Sequence, residues 1–259
     1  MKVVILCGGL GTRFREETRD RPKPMIEVGG KPILWHVMRT YAHYGFREFV
    51  LCLGYRGEVI KNYFVNYHVL SNNCTVRLGS DHAVVVHDDA QAQDWSVTLV
   101  DTGAATMTGG RIARIRPYVG HERFLATYGD GVADIDLPEL LRFHEAHGAS
   151  ATMTGVRVAA NFGFIDVDST GRVTGFREKP ILESLVNGGF FVFEPDVFEY
   201  LDGDACVLER EPLQRLAADR KVVVYPHCGF WQCMDHYGDY AKLNEAASTD
   251  RPPWAVWQR

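Results

Sequence analysis

Along residues 1–150, short continuous apolar runs alternate with longer segments in which apolar residues recur at helical spacing. Continuous runs rich in β-branched residues are typical of strands buried on both faces, and helical spacing is typical of amphipathic helices. The runs predict strands at Val3–Cys7, Phe49–Leu53, Val97–Val100 and Phe124–Tyr128. The spaced segments predict helices at Ile33–Tyr44 (ended by Gly45), Val59–Val69, Gly110–Val119 (which Pro117 could shorten) and Leu137–His147 (ended by Gly148).

After residue 150 the pattern changes to short strands. These are predicted at Ala151–Val158, Phe164–Val167, Val173–Arg177, Phe190–Phe193 and Val222–Tyr225. Alternating strands and helices imply a mostly parallel sheet flanked by helices, and the later strands imply a small β-rich lobe. Since no linker separates the two patterns, we expect one α/β domain over residues 1–259, with parts at about 1–150 and 151–240.

The C-terminal tail combines a helix with two tryptophans. The pattern is helical from about Tyr240 to Ala247, and Pro and Trp dominate the residues that follow. Trp254 and Trp257 are large apolar side chains that must pack against something, and a neighbouring subunit is one candidate. We therefore expect a homo-oligomer.

The bulk composition excludes several classes of protein. The 259 residues carry a formal net charge of −5 and are 46% hydrophobic, which allows a sizeable core but gives no basic stripe for nucleic acid. The first apolar run is too short for a signal peptide, and no run approaches the ~18 apolar residues of a membrane span. We expect a cytoplasmic protein with no membrane and no nucleic-acid partner.

The strongest local signal is a glycine-rich loop after the first predicted strand, Gly8-Gly9-Leu10-Gly11-Thr12-Arg13. Glycines allow positive φ and close backbone approach, so successive N–H groups can face an anion. The dinucleotide fingerprint G-x-G-x-x-G is not met, because Phe14 stands where the last glycine belongs, and the Walker sequence G-K-[ST] is absent. Taken alone, such a loop can also be a simple tight turn.

A stiff segment with a lysine follows the loop, Pro22-Lys23-Pro24-Met25. Prolines fix φ, so Lys23 can be held in place at low entropic cost, and with Arg13 it would bring two cations to one phosphate-binding mouth. Ligands of α/β sheets bind beyond the carboxyl ends of the strands, where Gly8–Arg13 and Asp130 both fall. The alternative, two solvated charges in a mobile loop, does not explain the flanking prolines.

Several further motifs resemble those of the sugar-1-phosphate nucleotidyltransferases, and most closely their glucose-1-phosphate cytidylyltransferase branch, which makes CDP-glucose. The resemblance covers essentially the whole chain, and the glycine loop with Lys-Pro is common to all branches. The motifs are Cys7–Arg13, Glu16-Glu17-Thr18, Pro22–Met25, Gly29–His36, Asp101–Gly103, Thr108–Arg111, Tyr128–Val132, Glu178–Pro180, Asn187–Phe191 and Gly229–Gln232. Glu-Glu-Thr, Trp35-His36 and Gly-Phe-Trp-Gln indicate the cytidylyl branch.

This resemblance implies a Rossmann-like nucleotidyltransferase sheet, with a nucleotide-binding half at 1–150 and a sugar-binding half at 151–240. It also implies roles for individual residues. Arg13 and Lys23 would be the catalytic cations that neutralise the phosphates. The nucleotide would be bound by Leu6, Gly8, Gly9, Gly11, Thr12, Arg13, Thr106, Arg111 and Gly129, and the sugar phosphate by Glu178, Lys179, Asn187 and Gly188.

The resemblance further implies that Asp130 and Asp235 hold Mg²⁺. An aspartate in a Gly-Asp-Gly turn is usually only a turn residue. Two aspartates at the ends of separate buried segments, beside a phosphate loop, suit Mg²⁺, which takes carboxylate, water and phosphate oxygens. The implied reaction is in-line attack of a sugar 1-phosphate on the α-phosphorus of CTP. The nucleophile is already anionic, so catalysis consists of positioning and charge neutralisation.

Two segments depart from the pattern of the family. Family members have Thr and Arg after the second aspartate, where this chain has His236 and Gly238, and a Pro-Pro-Gly-Arg-Phe-Gly run is altered at 159–163. These changes leave the identity of the sugar open. Three alternatives therefore remain: the same chemistry with another nucleotide or sugar, a non-catalytic sugar-nucleotide sensor, and a nicotinamide-dependent dehydrogenase, which the missing third glycine disfavours.

Overall fold

The computed structural model of the chain describes residues 1–79, 83–87 and 93–258, and the side chains of Arg13, Arg15 and Glu16 lie outside this description. Within these ranges, no helix has both the length and the apolar character needed to cross a bilayer.

The described ranges contain sixteen β-strands. In chain order they are β1 (Val3–Leu6), β2 (Glu27–Val28), β3 (Lys31–Pro32), β4 (Glu48–Leu53), β5 (Asn73–Val76), β6 (Val84–His87), β7 (Ser96–Asp101), β8 (Phe124–Tyr128), β9 (Gly131–Ala133), β10 (Ala151–Val156), β11 (Phe164–Val167), β12 (Val173–Arg177), β13 (Val186–Asn187), β14 (Phe191–Phe193), β15 (Val222–His227) and β16 (Trp231–Cys233). Every strand predicted from an apolar run is present, with shifted ends in most cases.

Nine α-helices lie in the same ranges. They are α1 (Arg15–Thr18), α2 (Ile33–His43), α3 (Gly57–Val65), α4 (Tyr67–Ser71), α5 (Thr108–Arg114), α6 (Arg116–Val119), α7 (Leu137–His147), α8 (Glu211–Ala218) and α9 (Tyr237–Ala247). Short 3₁₀ turns occur at Thr12–Phe14, Lys23–Met25, Pro195–Tyr200 and Val256–Gln258.

Two predicted helices are each divided in two. The helix expected over Val59–Val69 is interrupted at Asn66, between α3 and α4. The helix expected over Gly110–Val119 is interrupted at Ile115, and Pro117 lies in the first turn of α6. A proline is tolerated there because the first turn of a helix does not need its N–H group.

Eight strands form one mixed sheet, and its parallel part carries the phosphate loop. The order is β13-β10-β14-β8-β1-β4-β7, with β15 pairing β10. Strands β8, β1, β4 and β7 are parallel neighbours, β14 is antiparallel to both β8 and β10, and β15 is parallel to β10. The expected α/β class, with parallel strands flanked by helices, is confirmed.

Most strands after residue 150 extend this sheet rather than leaving it. The β-rich lobe expected in this half corresponds to the antiparallel hairpin β11–β12, which is a separate two-stranded sheet. Strands β10, β14 and β15 instead continue the central sheet, because their apolar side chains join the same buried layers as those of β1 and β8. The short strand β13 pairs with β10 in the same sheet.

Alternate residues of the central strands enter two different cores. In β1, Val3 and Ile5 belong to one apolar cluster and Val4 belongs to the other. Successive side chains of a strand point to opposite faces, so a strand that is apolar at every position must be covered on both faces. Helix α2 covers the first face and helices α5 and α8 cover the second.

The two C-terminal tryptophans pack within their own chain. Trp254 is fully buried, and its ring lies against those of His36 and Phe230. Trp257 contacts Trp35 and His36. This packing accounts for the tail without a neighbouring subunit, so these residues give no support to an oligomer, which stays a prediction.

His36 links this tail to the core through its neutral form. Its Nε2 donates to the carbonyl of Val28 at 2.8 Å, which leaves Nδ1 to accept from the indole N–H of Trp254 at 3.3 Å. Burial lowers the pKa of His36, and the charge of Lys31 lowers it further. A second proton on Nδ1 would place a donor against the donor of Trp254.

We therefore expect the free energy of unfolding to fall as the pH drops below about 6.5, the ordinary pKa of histidine. In this range the unfolded chain binds a proton that the native His36 does not, so the slope is at most about 1.4 kcal/mol per pH unit for this group. His36→Gln should flatten the dependence of Tm on pH between about 7 and 5. His43→Gln, at an exposed histidine of the same helix, is the matched control, and an equal slope in all three proteins would contradict this role of His36.

Candidate active site

A cavity of about 370 Å³ lies beyond the carboxyl ends of the parallel strands β1 and β8. It combines the glycine loop, a lysine, an aspartate and the segment that leads into α5. Its lining consists of Leu6, Cys7, Gly8, Gly9, Leu10, Gly11, Thr12, Lys23, Pro24, Ala104, Ala105, Thr106, Met107, Thr108, Arg111, Tyr128 and Asp130. The predicted nucleotide-binding residues are thus brought together, apart from Gly129, which adjoins them, and Arg13, whose side chain lies outside the described part of the structure.

Two glycines of the loop, Gly8 and Gly11, each lie against a different neighbouring side chain. A Cβ atom on Gly8 would lie 2.1 Å from the guanidinium of Arg111, so any larger residue there would have to displace that buried group. Gly11 has φ +61°, in the left-handed region, and a Cβ atom on it would meet Thr18 at 2.8 Å. The side chain of Thr18 also donates to the carbonyl of Gly11 at 3.2 Å. These contacts hold the loop open toward the cavity as a backbone surface.

Arg111 fastens the ends of three parallel strands. Its guanidinium donates to the carbonyl of Gly8 at 2.9 Å, to the carbonyl of Leu53 at 2.9 Å and to the hydroxyl of Thr102 at 2.7 Å. Only 4% of the residue is exposed, and burial lowers the pKa of its guanidinium. The residue therefore lies beneath the glycine loop, where it fixes the position of that loop and places a cation behind the anion-binding surface.

Lys23 joins the two predicted metal ligands. Its ammonium donates to Asp130 at 2.9 Å and to Asp235 at 2.8 Å, and 12% of its side chain is exposed. Burial lowers the pKa of Lys23, but the two carboxylates outweigh this effect, so the net pKa is raised. Lys23 is therefore a fixed cation at neutral pH, held by the two carboxylates.

Two turns deliver the carboxylates to this point. Asp130 follows β8, and its carbonyl accepts from the N–H of Met234 at 2.9 Å, beside the pairing of β9 with β16. Asp235 precedes α9, and Asp239 of that helix accepts from the N–H groups of Asp235 and His236 at 3.0 Å each. The β9–β16 ladder thus brings together two aspartates that are more than one hundred residues apart in sequence.

The donor set at this point fits a magnesium ion that is shared with substrate. Asp130 and Asp235 offer hard carboxylate oxygens on the same ammonium, at the edge of the cavity. In the described ranges no cluster of three or more His, Cys, Asp or Glu side chains could enclose a metal. Mg²⁺ is usually held by one or two carboxylates with water and phosphate oxygens, so two protein ligands are sufficient.

The remaining nucleotide-side residues have distinct structural roles. Thr106 is buried and lines the cavity. Gly129 donates its N–H to the carbonyl of Leu6 at 3.1 Å, and a Cβ atom on it would meet Pro24 at 3.0 Å and Cys7 at 3.1 Å. Gly129 therefore lets the Lys-Pro segment pack against the first strand, and this packing fixes the position of Lys23 relative to the strand ends.

On the sugar side, the structure connects Asn187 to the cavity. Its side-chain amide donates to the hydroxyl of Tyr128 at 3.0 Å, and its Oδ1 accepts from the N–H of Gly189 at 2.9 Å. The carbonyl of Gly188 accepts from the indole N–H of Trp231 at 2.7 Å. The predicted Asn187–Gly188 turn is thereby fixed between the end of β8 and the Gly-Phe-Trp-Gln segment.

Glu178 and Lys179 lie farther out. Both are exposed, and neither is in the lining of the cavity. Lys179 has φ 45°, a left-handed conformation that is strained for a residue with a side chain. Strained backbone of this kind is retained when surrounding structure enforces it, and here the pairing of Ala159 with Ile181 anchors the following residues.

Three residues at or beside the cavity were given no role from the sequence. Tyr128 and Thr108 line the cavity, and Glu209 accepts hydrogen bonds from both hydroxyls. Tyr128 and Thr108 lie within the motifs Tyr128–Val132 and Thr108–Arg111, where they are recognisable as polar groups at a strand end and a helix start. Glu209 lies in a charged segment of ordinary composition, and no sequence signal distinguishes it.

Comparison with known proteins places this geometry in context. A family model described as nucleotidyl transferase matches residues 2–222. The glucose-1-phosphate cytidylyltransferase of Salmonella typhi is 46% identical over 260 residues, covering 100% of both chains. The probable glucose-1-phosphate cytidylyltransferase of Bacillus subtilis (strain 168) is 44% identical over 258 residues, covering 99% of this chain and 100% of the relative.

The fold is similar to those of solved nucleotidyltransferase structures. The UDP-glucose pyrophosphorylase from Acinetobacter baumanii superposes with a TM-score of 0.71 at 19% identity, covering 99% of this chain and 96% of that chain. At this level of identity the comparison supports the fold alone.

Proposed function

The chain belongs to the nucleotidyl transferase family, within the group of glucose-1-phosphate cytidylyltransferases, and from this premise we propose that it transfers a cytidylyl group from CTP to α-D-glucose 1-phosphate. The products are CDP-glucose and pyrophosphate. The observation that carries the proposal is the cavity itself, in which a glycine loop, a fixed lysine and Asp130 converge at the strand ends, with Asp235 bound to the same lysine. Family membership also sets aside the nicotinamide-dependent dehydrogenase.

The proposed reaction needs positioned charge rather than proton transfer. The bond that forms joins a phosphate oxygen of the sugar 1-phosphate to the α-phosphorus of CTP, and the bond that breaks releases pyrophosphate. The attacking oxygen is already anionic, so no general base is required. The glycine loop binds the triphosphate through backbone N–H groups, and Lys23 and Arg13 neutralise the α-phosphate and the leaving group.

Asp130 and Asp235 would hold Mg²⁺ in this scheme. The ion supplies positive charge to the phosphate oxygens when it is bound. In the free protein the same carboxylates hold Lys23. The triphosphate would offer Lys23 alternative anionic partners, so the ammonium can bind phosphate while the carboxylates remain directed at the ion.

A pyrophosphate-release assay tests the proposed function directly. Four nucleoside triphosphates are combined with several sugar 1-phosphates, and we expect the highest kcat/KM with CTP and glucose 1-phosphate. Preference for another nucleotide would establish the same chemistry with a different base. Tight nucleotide binding without pyrophosphate release from any pair would establish the non-catalytic sugar-nucleotide sensor instead.

The segment after Asp235 leads to a prediction about sugar breadth. His236 caps α9, and a Cβ atom on Gly238 would meet nothing within 4 Å. The surroundings of position 238 therefore do not require glycine in place of the arginine that other family members have there. We expect measurable turnover of at least one other hexose 1-phosphate or modified-sugar 1-phosphate. Gly238→Arg should fold and accept fewer sugar 1-phosphates than the wild type. Strict use of glucose 1-phosphate by the wild type would contradict the prediction.

Lys179 is predicted to bind the sugar phosphate. We expect Lys179→Ala to raise the KM of the sugar phosphate by about tenfold or more, as for one charged hydrogen bond, with a smaller change for CTP. Lys179→Gly is a matched variant, because glycine adopts φ 45° without strain and so separates the loss of charge from the loss of backbone strain. An equal loss for both substrates would contradict a role on the sugar side.

We also propose a cytoplasmic homo-oligomer. Hairpin β11–β12 leaves large apolar side chains exposed, among them Ile165 (59%), Val173 (64%) and Phe176 (61%). Ile165 and Phe176 are paired across the hairpin, and neighbouring exposed apolar side chains of this kind are typical of a protein interface. Light scattering of the wild type and of Val173→Lys tests this assignment: an oligomer that the substitution dissociates supports it, and a monomeric wild type contradicts it.

A further inference from the structure

Glu209 accepts the last hydrogen bond in each of two chains, one through Tyr128 and one through Thr108. Its Oε1 accepts from the hydroxyl of Tyr128 at 2.5 Å, and its Oε2 accepts from the hydroxyl of Thr108 at 2.6 Å. These lengths are those of charge-assisted O–H···O⁻ bonds, which are roughly twice as strong as neutral ones. The carboxylate thus binds both hydroxyls at once.

Each hydroxyl has its direction fixed by a second neighbour. Tyr128 accepts from the amide of Asn187 at 3.0 Å and so donates to Glu209. Thr108 accepts from the N–H of Leu208 at 2.9 Å and likewise donates to Glu209. Burial raises the pKa of Tyr128, and the charge of Glu209 raises it further, so the phenol keeps its proton and remains a donor.

The two chains start from different segments at the cavity, one predicted to contact the nucleotide and one predicted to contact the sugar. Thr108 ends the segment 104–108, which lines the nucleotide side, and backbone bonds from Met107 to Asp204 and from Gly110 to Cys206 hold this segment against residues 204–206. Tyr128 stands at the end of β8, and its partner Asn187 belongs to the predicted sugar-binding turn. Glu209 therefore connects a nucleotide-side residue to a sugar-side residue.

The charge of Glu209 also has a consequence for how substrates lie. A carboxylate beside the cavity repels phosphate, whereas Lys23 and the glycine loop attract it. Phosphate is therefore disfavoured next to Tyr128 and Thr108, where Glu209 lies, relative to the glycine loop with its backbone N–H groups.

On the premise of the proposed function, we infer that Glu209 is a positioning residue that couples the two substrate sides, by holding Thr108 and Tyr128 in one bridge. A change on the nucleotide side is then transmitted to the sugar side through the carboxylate. Glu209→Ala removes both bonds. Glu209→Gln preserves the shape, but it replaces one of the two acceptor oxygens by an NH₂ donor, so one of the two hydroxyls loses the acceptor for its proton.

The test is a double-mutant cycle between Thr108→Val and Glu209→Ala, with the KM of the sugar phosphate as the readout. We expect Glu209→Ala to raise this KM by about tenfold, and Thr108→Val to raise it several-fold although Thr108 lies on the nucleotide side. In the Glu209→Ala background, Thr108→Val should add nothing further. Glu211→Gln, at an exposed carboxylate two residues away, is the matched control and should behave as wild type.

The outcomes separate coupling from a general structural effect. Independent, additive effects of the two substitutions, or an unchanged KM of the sugar phosphate in Thr108→Val, would overturn the inference. If Glu209→Ala fails to fold, the cycle is repeated with Glu209→Gln. The assay uses the substrate pair that the wild type turns over fastest. If the wild type turns over no pair, the proposed function fails, and the same cycle is measured as equilibrium binding of CTP and glucose 1-phosphate.

Discussion

Replacing Lys23 by methionine should lower kcat by about 10²–10³-fold, because it removes a cation that faces charge developing in the transition state. The structure makes this substitution informative. Lys23 is held by Asp130 and Asp235 with 12% of its side chain exposed, so its ammonium is already in place at the cavity. Methionine retains most of the length and volume of the side chain and removes the charge.

A folded variant is expected, because the two carboxylates left behind are 27% and 32% exposed and can bind water. Circular dichroism checks the fold, and initial rates of pyrophosphate release give kcat and KM. Lys242→Met, at an exposed lysine of α9, controls for a general effect of losing positive charge. Turnover of Lys23→Met near the wild-type value would contradict the assignment of Lys23 and, with it, the mechanism by charge neutralisation.

Arg13 is expected to be a second cation of the same kind, from the sequence alone. Its backbone belongs to the turn Thr12–Phe14 that closes the glycine loop, while its side chain is outside the described part of the structure. Arg13→Ala should lower kcat by a factor similar to that of Lys23→Met. If the two residues act on the same phosphates, the double variant should lose less than the product of the two single losses.

Much of the fold could be predicted because the central strands are apolar on both faces. Val3, Val4 and Ile5 enter two different cores, and only a sheet covered on both faces uses such a run. The pairing of the later strands could not be predicted in this way. Strand β10 pairs with β14 and β15, which follow it by about 35–75 residues, and short apolar runs do not specify a partner at such separations.

The candidate site likewise has some residues that the sequence predicts and others that it does not. The glycine loop, Lys23 and Asp130 were predictable because local chemistry and strand ends identify them. Arg111 could be marked only as a nucleotide contact, since its bonds to Gly8 and Leu53 join residues that are far apart in sequence. Glu209 could not be found at all, because its role arises from hydroxyls about 80–100 residues earlier. Long-range hydrogen bonds leave no periodic pattern.

The other large effect is expected at the metal site. Asp130→Asn and Asp235→Asn should each lower kcat by at least about 10²-fold, because each keeps the shape of the side chain and removes one negative charge that would hold Mg²⁺. High Mg²⁺ should partly restore both variants. Chelation should abolish turnover of the wild type, and Mn²⁺ should restore it. Binding of Mn²⁺ in the presence of CTP, measured by electron paramagnetic resonance, is a readout that does not depend on turnover.

The two aspartates also hold Lys23, so a loss of turnover has two physical explanations, loss of the ion and displacement of the lysine. The Mn²⁺ measurement distinguishes them. If the aspartates are metal ligands, both variants bind Mn²⁺ more weakly while Lys23→Met, which retains both carboxylates, does not. Asp202→Asn, an exposed surface carboxylate paired with Arg215, should leave both Mn²⁺ binding and turnover unchanged. Wild-type Mn²⁺ affinity in both variants, or full turnover in excess chelator, would show that Asp130 and Asp235 act by positioning Lys23 and hold no ion.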